Sequence, residues 1–209
     1  MLSVEDVTRR LPLGFGLALL LLGAQASAEP DEEAKRLMKL RDAERYELEI
    51  DGSTTKAGAA RVHVATPTDQ VKKAITDFKN YSKFISQFEK ARVVGRSGVN
   101  TDVYLQVPIL HGAAKVWAVV RFSPVRQVNG EQRLEGRMLK GNVTRLDATW
   151  RVKKIDDENS QLHLELLIVP KLPVPPSVVT KEVRYAADKA VMGTRDRAER
   201  DWDKKKRKK

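Results

Sequence analysis

The stretch from Ala91 to Pro170 limits the possible folds of this chain more than any other. The segments ARVVGR, TDVYLQVPIL, AAKVWAVVRF, RLEGRMLKG, TRLDATWRVKKI and SQLHLELLIVP are about six to twelve residues long. Ser-Gly, His-Gly, Asn-Gly, Gly-Asn and Asp-Asp-Glu-Asn-Ser turn signals separate them. Connections this short join antiparallel neighbours, because a parallel pair needs a much longer crossover. The segments therefore read as a meander of consecutive antiparallel strands. In two of them the alternation is sharp. Leu146, Ala148, Trp150 and Val152 share one face while Arg145, Asp147, Thr149, Arg151 and Lys153 share the other; Leu162, Leu164, Leu166 and Ile168 stand against Gln161, His163 and Glu165. One face of the sheet is expected to be buried and the other wet.

Such a sheet needs a cover, and the flanking segments supply one. Tyr46 to Ile50 alternates in strand fashion and stops at Asp51-Gly52, and ARVHVAT repeats the pattern with Val62 and Val64 on one face, so the two read as a hairpin. Pro67 ends the second of these strands and suits the first turn of a helix, with Thr66 as its N-cap. Val71, Ala74, Ile75 and Phe78 then fall at helical spacing, and Asn80, Tyr81, Phe84, Ile85 and Phe88 continue as a second, shorter apolar helix. Helices this short must lie against something larger. After a proline-rich bend, Pro170 to Pro176, a helix of roughly 25 residues begins near Ser177. Its apolar stripe is Val179, Val183, Ala186, Ala187, Ala190 and Thr194, opposite Lys181, Arg184, Asp188, Lys189 and Asp196. That stripe is expected to sit across the apolar face of the sheet.

Residues 1–28 read as a secretory signal. Arg9 and Arg10 precede an apolar run of about 13 residues that ends in Ala26-Ser27-Ala28, a small-x-small cleavage pattern. The run is shorter than the roughly 20 apolar residues that span a bilayer. The exported chain, periplasmic or secreted, is expected to begin at Glu29. Residues 29–45 form a charged lead-in, 46–203 the domain and 204–209 a basic tail. With no cysteine there is no disulfide framework, and an ordinary core must hold the domain together. At this size a chain buries roughly 70% of its unfolded surface, which suffices. The net charge is +11, and KKKRKK, Lys204 to Lys209, supplies six of those charges. The tail reads either as a solvated terminus or as a weak contact for an anionic membrane surface. It lacks interleaved aromatics, so no nucleic-acid partner is expected.

The sequence shows no constellation for chemistry. His63 and His163 alternate onto the wet strand faces and His111 sits in a turn, none within a metal-ligand spacing, so no metal site is expected. The serines lack a nucleophile elbow or a base at an interpretable spacing. Glu135 and Asp147 would face a cavity only if the strand register slipped by one residue. Trp150 belongs to the apolar set of its strand. Trp117 alternates with Lys115 and Arg121 and reads as an aromatic half covered by a neighbour or as a docking contact.

The order strand, two short helices, six strands and long terminal helix resembles the helix-grip fold of the START-like (SRPBCC) superfamily, which includes polyketide cyclase/dehydrase-type and coenzyme Q-binding-type proteins. VATPTDQVKKAITDFKNYSKFI, ATWRV and LPVPPSVVTKEVRYAADKAVMGTRDRAE carry the likeness, which spans roughly Tyr46 to Glu199. It implies an α+β fold in which a curved antiparallel sheet wraps a long C-terminal helix, with two short helices after the early strands closing one end. It also implies an elongated apolar cavity between sheet and helix. Its expected lining is Phe78, Tyr81, Phe84, Leu146, Trp150, Leu164, Val183, Ala186, Ala187 and Ala190, with Asp77 as a cap or hydrogen-bond anchor. The leading expectation is a non-enzymatic protein that binds a lipid or other hydrophobic small molecule, without a cofactor. The alternatives are an aromatase/cyclase-like enzyme acting on an apolar substrate in the same cavity, and a structural domain whose helix packs flush on the sheet.

Overall fold

A computed structural model describes residues 31–109, 112, 114–171 and 173–208. The segment read as an expected signal (residues 1–28), His111 and Lys209 lie outside the described residues.

The chain opens with a helix, α1 (Glu32–Met38), followed by a hairpin of β1 (Glu44–Leu48) and β2 (Ala57–Val64). Helix α2 (Thr68–Thr76), a 3-10 turn (Phe78–Asn80) and α3 (Tyr81–Phe84) come next. The meander comprises β3 (Lys90–Ser97), β4 (Asn100–Ile109), β5 (Ala114–Phe122), the short β6 (Arg126–Val128), β7 (Glu131–Gly141), β8 (Val143–Lys154) and β9 (Ser160–Pro170). Helix α4 (Pro176–Lys206) ends the fold. The nine strands form one antiparallel sheet in the order β1-β2-β9-β8-β7-β5-β4-β3, with β6 paired to β7. The meander is the expected one apart from β6, whose three residues are too few to show a period. It hairpins into β7 through Asn129 and Gly130, both at positive φ (51° and 81°), the conformation an Asn-Gly turn favours. Register shifts at Val93/Gly95, Val119/Val120 and Val143/Arg145 are bulges of the kind that bend a sheet.

Trp150 pairs with Leu164, Ala148 with Leu166 and Leu146 with Ile168, so the apolar set of β8 and β9 lies on one side, facing α4. Two glycines let α4 approach closely. A Cβ at Gly58 would lie 2.3 Å from the Arg184 backbone nitrogen, and one at Gly193 would lie 2.1 Å from the carbonyl of Phe84. The helix is thus seated on β2 near its start and on α3 further along.

Four sequence expectations need correction. Pro67, not Thr66, is the N-cap of α2. Thr66 is buried instead, and its carbonyl accepts a 2.6 Å hydrogen bond from Ser160 Oγ. Helix α4 extends past Trp202 through Lys206, so the start of the basic tail is helical. Lys205 and Lys206 stand over the Trp202 ring at 5.0 and 5.4 Å, and Lys206 pairs with Glu158 at 2.9 Å. Asp188, on the polar stripe of α4, is buried and receives Arg45 of β1 at 2.8 Å.

The fourth correction concerns the outer face of the sheet, which is not uniformly wet. Gln161, His163 and Leu167 are buried there. The charged lead-in folds back as α1, capped by Asp31, whose carboxylate accepts from the Ala34 nitrogen at 2.8 Å. Leu37 and Ala34 are buried beneath it. Glu33 accepts from Arg61 at 2.6 Å and from Gln161 at 2.5 Å, and Asp31 accepts from Lys153 at 2.5 Å. Polar residues alternated outward as the period dictates, but α1 and its cap then bonded Arg61, Gln161 and Lys153.

Candidate functional site

The interior of the grip is almost wholly apolar. A cavity of about 70 Å³ lies between α4 and the inner sheet face, walled by Leu105, Val107, Val116, Ala118 and Phe122 of β4 and β5, by Leu146, Ala148 and Trp150 of β8, by Leu164, Leu166 and Ile168 of β9, and by Ala186 and Ala190 of α4. Tyr81, Ile85 and Phe88 close one end, and Gln87 borders the space as well. The small Ala186 and Ala190 make the space, since larger side chains one turn apart would fill the gap between helix and sheet.

The end wall is an aromatic cluster. Phe78 stacks on Phe122 with centroids 4.6 Å apart, and Tyr81 meets Phe78 and Phe84 edge-on, each at 5.6 Å. The Tyr81 phenol donates to the carbonyl of Ile75, and burial raises its pKa well above the ordinary tyrosine range. It remains a neutral donor already in use. Asp77 sits just outside this wall, accepting both of its hydrogen bonds from the Asn80 amide, at 2.8 and 2.9 Å, with Arg197 at 3.7 Å. Those contacts tie α2 to the 3-10 turn and α4.

Toward the start of α4 the cavity adjoins a neck of about 60 Å³ lined by Pro108, Ile109, Pro170, Val174, Val178, Val179, Glu182 and Val183, among others. Beyond it is a mouth of about 660 Å³ bordered by Arg45, Lys181, Glu182, Arg184 and Tyr185. Gln87 borders all three spaces.

Of the residues expected to line the cavity, the structure brings together Tyr81, Leu146, Trp150, Leu164, Ala186 and Ala190. Val183 lines the neck. Phe78 stands behind the end wall and borders an outer groove, Phe84 packs on Tyr81 beneath Arg197, and Ala187 is fully buried in the helix core away from the cavity. The contributions of β4 and β5 were missed, although Val116, Ala118 and Phe122 alternate as clearly as the β8 set. Gln87 carries no such signal, being one polar residue in a short irregular link.

No acid–base pair lines the cavity among the described residues. Glu135 and Asp147 lie on the outer face, pairing with Arg126 at 3.2 Å and Arg145 at 2.6 Å respectively. Trp117 is half-buried on that face and stacks on Tyr104 at 6.1 Å. His63 meets Asn159 at 2.8 Å. The ring nitrogens of His163 have no hydrogen-bond partner among the described residues, and burial, with Arg151 and Arg61 beside it, brings its pKa down to about 3. Among the described residues no His, Cys, Asp and Glu cluster is suited to hold a metal, and no helix is long and apolar enough to cross a membrane.

The same arrangement of sheet and helix occurs in solved structures. A STAR-related lipid transfer protein from Xanthomonas axonopodis superposes with a TM-score of 0.65 at 12% identity, over 76% of this chain and 94% of that one. The chain has the START-like helix-grip fold. A START superfamily protein from Mycobacterium smegmatis matches at TM-score 0.58 and 17% identity, covering 68% of this chain and 96% of that one. A Streptomyces aromatase/cyclase matches at 0.59 and 19%, covering 68% and 92%. No protein-family model matches the sequence, and no curated protein does. The START-like fold is thus carried here by apolar periodicity, with little identity to these neighbours.

Proposed function

We propose that this START-like domain is an exported carrier that binds a lipid or other hydrophobic small molecule between the sheet and α4. The observation that carries this reading is the apolar cavity with its neck. A domain built only for stability would close the gap over Ala186 and Ala190, because voids in a core are destabilising. The neighbours' names, lipid transfer proteins and an aromatase/cyclase, fit a fold that houses apolar molecules. Catalysis in the cavity would need a positioned acid or base, and the described lining offers only the committed Tyr81 phenol and the Gln87 amide. The carrier reading is therefore preferred to the cyclase reading.

The cavity is far smaller than the roughly 300–1,000 Å³ of pockets that hold drug-sized ligands, so uptake requires α4 to move away from the sheet. The prolines leading into α4 stiffen its approach, placing such motion at the ends of the helix rather than in the sheet. The test is native mass spectrometry of protein purified under mild conditions and then exposed to a total lipid extract, comparing wild type with Ala186→Trp. Wild type should carry an apolar compound that the folded variant does not. If the wild type carries none and takes none up, the carrier reading fails.

A further inference from the structure

Building on the carrier reading, we propose that the ligand is a single-chain amphiphile with an anionic head, its chain in the neck and cavity and its head held by Gln87 and Lys181. The shape of the site sets the first part. Neck and cavity lie end to end beside α4, from Val179 to Ala190, a span of about 16 Å at the helical rise. Each chamber is small, at about 60 and 70 Å³. A space extended along the helix suits an alkyl or isoprenoid chain, which needs less separation of α4 from the sheet than a fused ring system that would force the two apart along that whole length.

The polar groups set the second part. Gln87 stands where the apolar interior meets the mouth, and its side-chain amide makes no hydrogen bond to another described residue. An amide at such a threshold both donates and accepts, so it can bind the first polar atom of a chain that emerges there. The mouth is bordered by three cations, Arg45, Lys181 and Arg184, and by the carboxylate of Glu182. Arg45 is engaged by Asp188 and Arg184 by Glu47, each at 2.8 Å. Lys181 has no ion pair among the described residues, which leaves it as the cation free to meet an anionic head.

The experiment uses the fluorescence of cis-parinaric acid and of its methyl ester on the full chain, in wild type, Lys181→Gln and Gln87→Leu. Wild type should bind the acid about tenfold or more tighter than the ester, the effect of one charge-assisted hydrogen bond. Lys181→Gln, an exposed substitution that leaves the fold alone, should abolish that preference while leaving ester affinity unchanged. Gln87→Leu should weaken acid and ester alike, by several-fold. Equal binding of acid and ester by the wild type, with Lys181→Gln changing neither, would overturn the head-group assignment and leave the carrier reading standing. No binding of either probe, in protein that native mass spectrometry also shows empty, would bring down both.

Discussion

Trp150 and Arg151 are neighbours in β8, as His163 and Leu164 are in β9, and each pair splits across the sheet. Trp150 and Leu164 go inward to face α4; Arg151 and His163 go outward, and Arg151 bonds Glu165. The inner side is buried throughout and the outer side locally, around Gln161 and His163, by opposite means. Inside, burial is non-directional and leaves a cavity. Outside, α1 clamps a layer of charged side chains through directed contacts to Arg61, Gln161 and Lys153, while Arg61 also lies over the Tyr46 ring at 5.2 Å. The contrast shows that strand alternation reports polarity, and polarity is not exposure. It also predicts different responses to perturbation: the inner face should fail by losing volume, the outer by losing charge balance.

The largest effect should come from the inner face. Trp150 is 3% exposed, and Trp150→Ala removes a buried aromatic from the cavity wall. The expected loss is about 3–5 kcal/mol in urea denaturation. A loss under about 1 kcal/mol would show that the wall is loosely packed and that burial there resembles the outer face more closely than the structure indicates.

How much of this was legible follows from the same contrast. The β8 and β9 registers were readable because a period of two has no competing solution once one face is apolar. The stripe of α4 was readable for the same reason, but not which alanine meets the cavity: Ala186 and Ala187 differ by one position, about 100° around the helix, and only the seating on Gly58 and Gly193 decides between them. The burial of His163 was illegible because α1, which bonds the neighbouring Arg61 and Gln161, is highly charged and has no long apolar stripe. Two small contacts, Ala34 and Leu37, hold it down, with carboxylates doing the rest. Gln87 was illegible because an isolated polar residue in a link has no periodic partner.

Acid should expose the outer face next. His163 titrates near 6.5 when unfolded and at about 3 when folded, because burial first, then Arg151, Arg61 and Lys153, disfavour its charged form. Between those values the unfolded state binds a proton that the folded state refuses, so stability is full above pH 6.5 and falls as pH drops toward 3. The slope approaches about 1.4 kcal/mol per pH unit, giving a loss of about 2 kcal/mol between pH 6 and 4.5. Glu44, held down to about 2 chiefly by its hydrogen bond from Arg36, and Glu89, held down by Lys115, add to the loss as pH falls toward their ordinary 4.5, so the histidine dominates the upper part of this window. Urea denaturation across it should slope clearly more steeply in wild type than in His163→Leu, most of all between pH 6 and 5. Equal slopes would mean that the outer layer is wet after all.

The smallest effect tests whether α1 causes that burial or merely accompanies it. Asp31 caps α1 through Ala34 and also accepts from Lys153, two contacts from one carboxylate. Asp31→Ala should cost about 1 kcal/mol, the usual value of a lost N-cap, since the exposed ion pair adds little. Its more telling consequence is at His163, which lies in β9 between Arg61 of β2 and Arg151 of β8 and makes no contact with Asp31 of its own. If α1 shields the outer layer, loosening its first turn admits water, relieves the burial that depresses the histidine and moves its pKa up toward 6.5, which an NMR titration of the ring would follow. A pKa that stays near 3 in a variant with α1 measurably frayed would assign the depression to the flanking arginines instead. The outer face would then be dry by virtue of its own long side chains, and α1 an accessory to it.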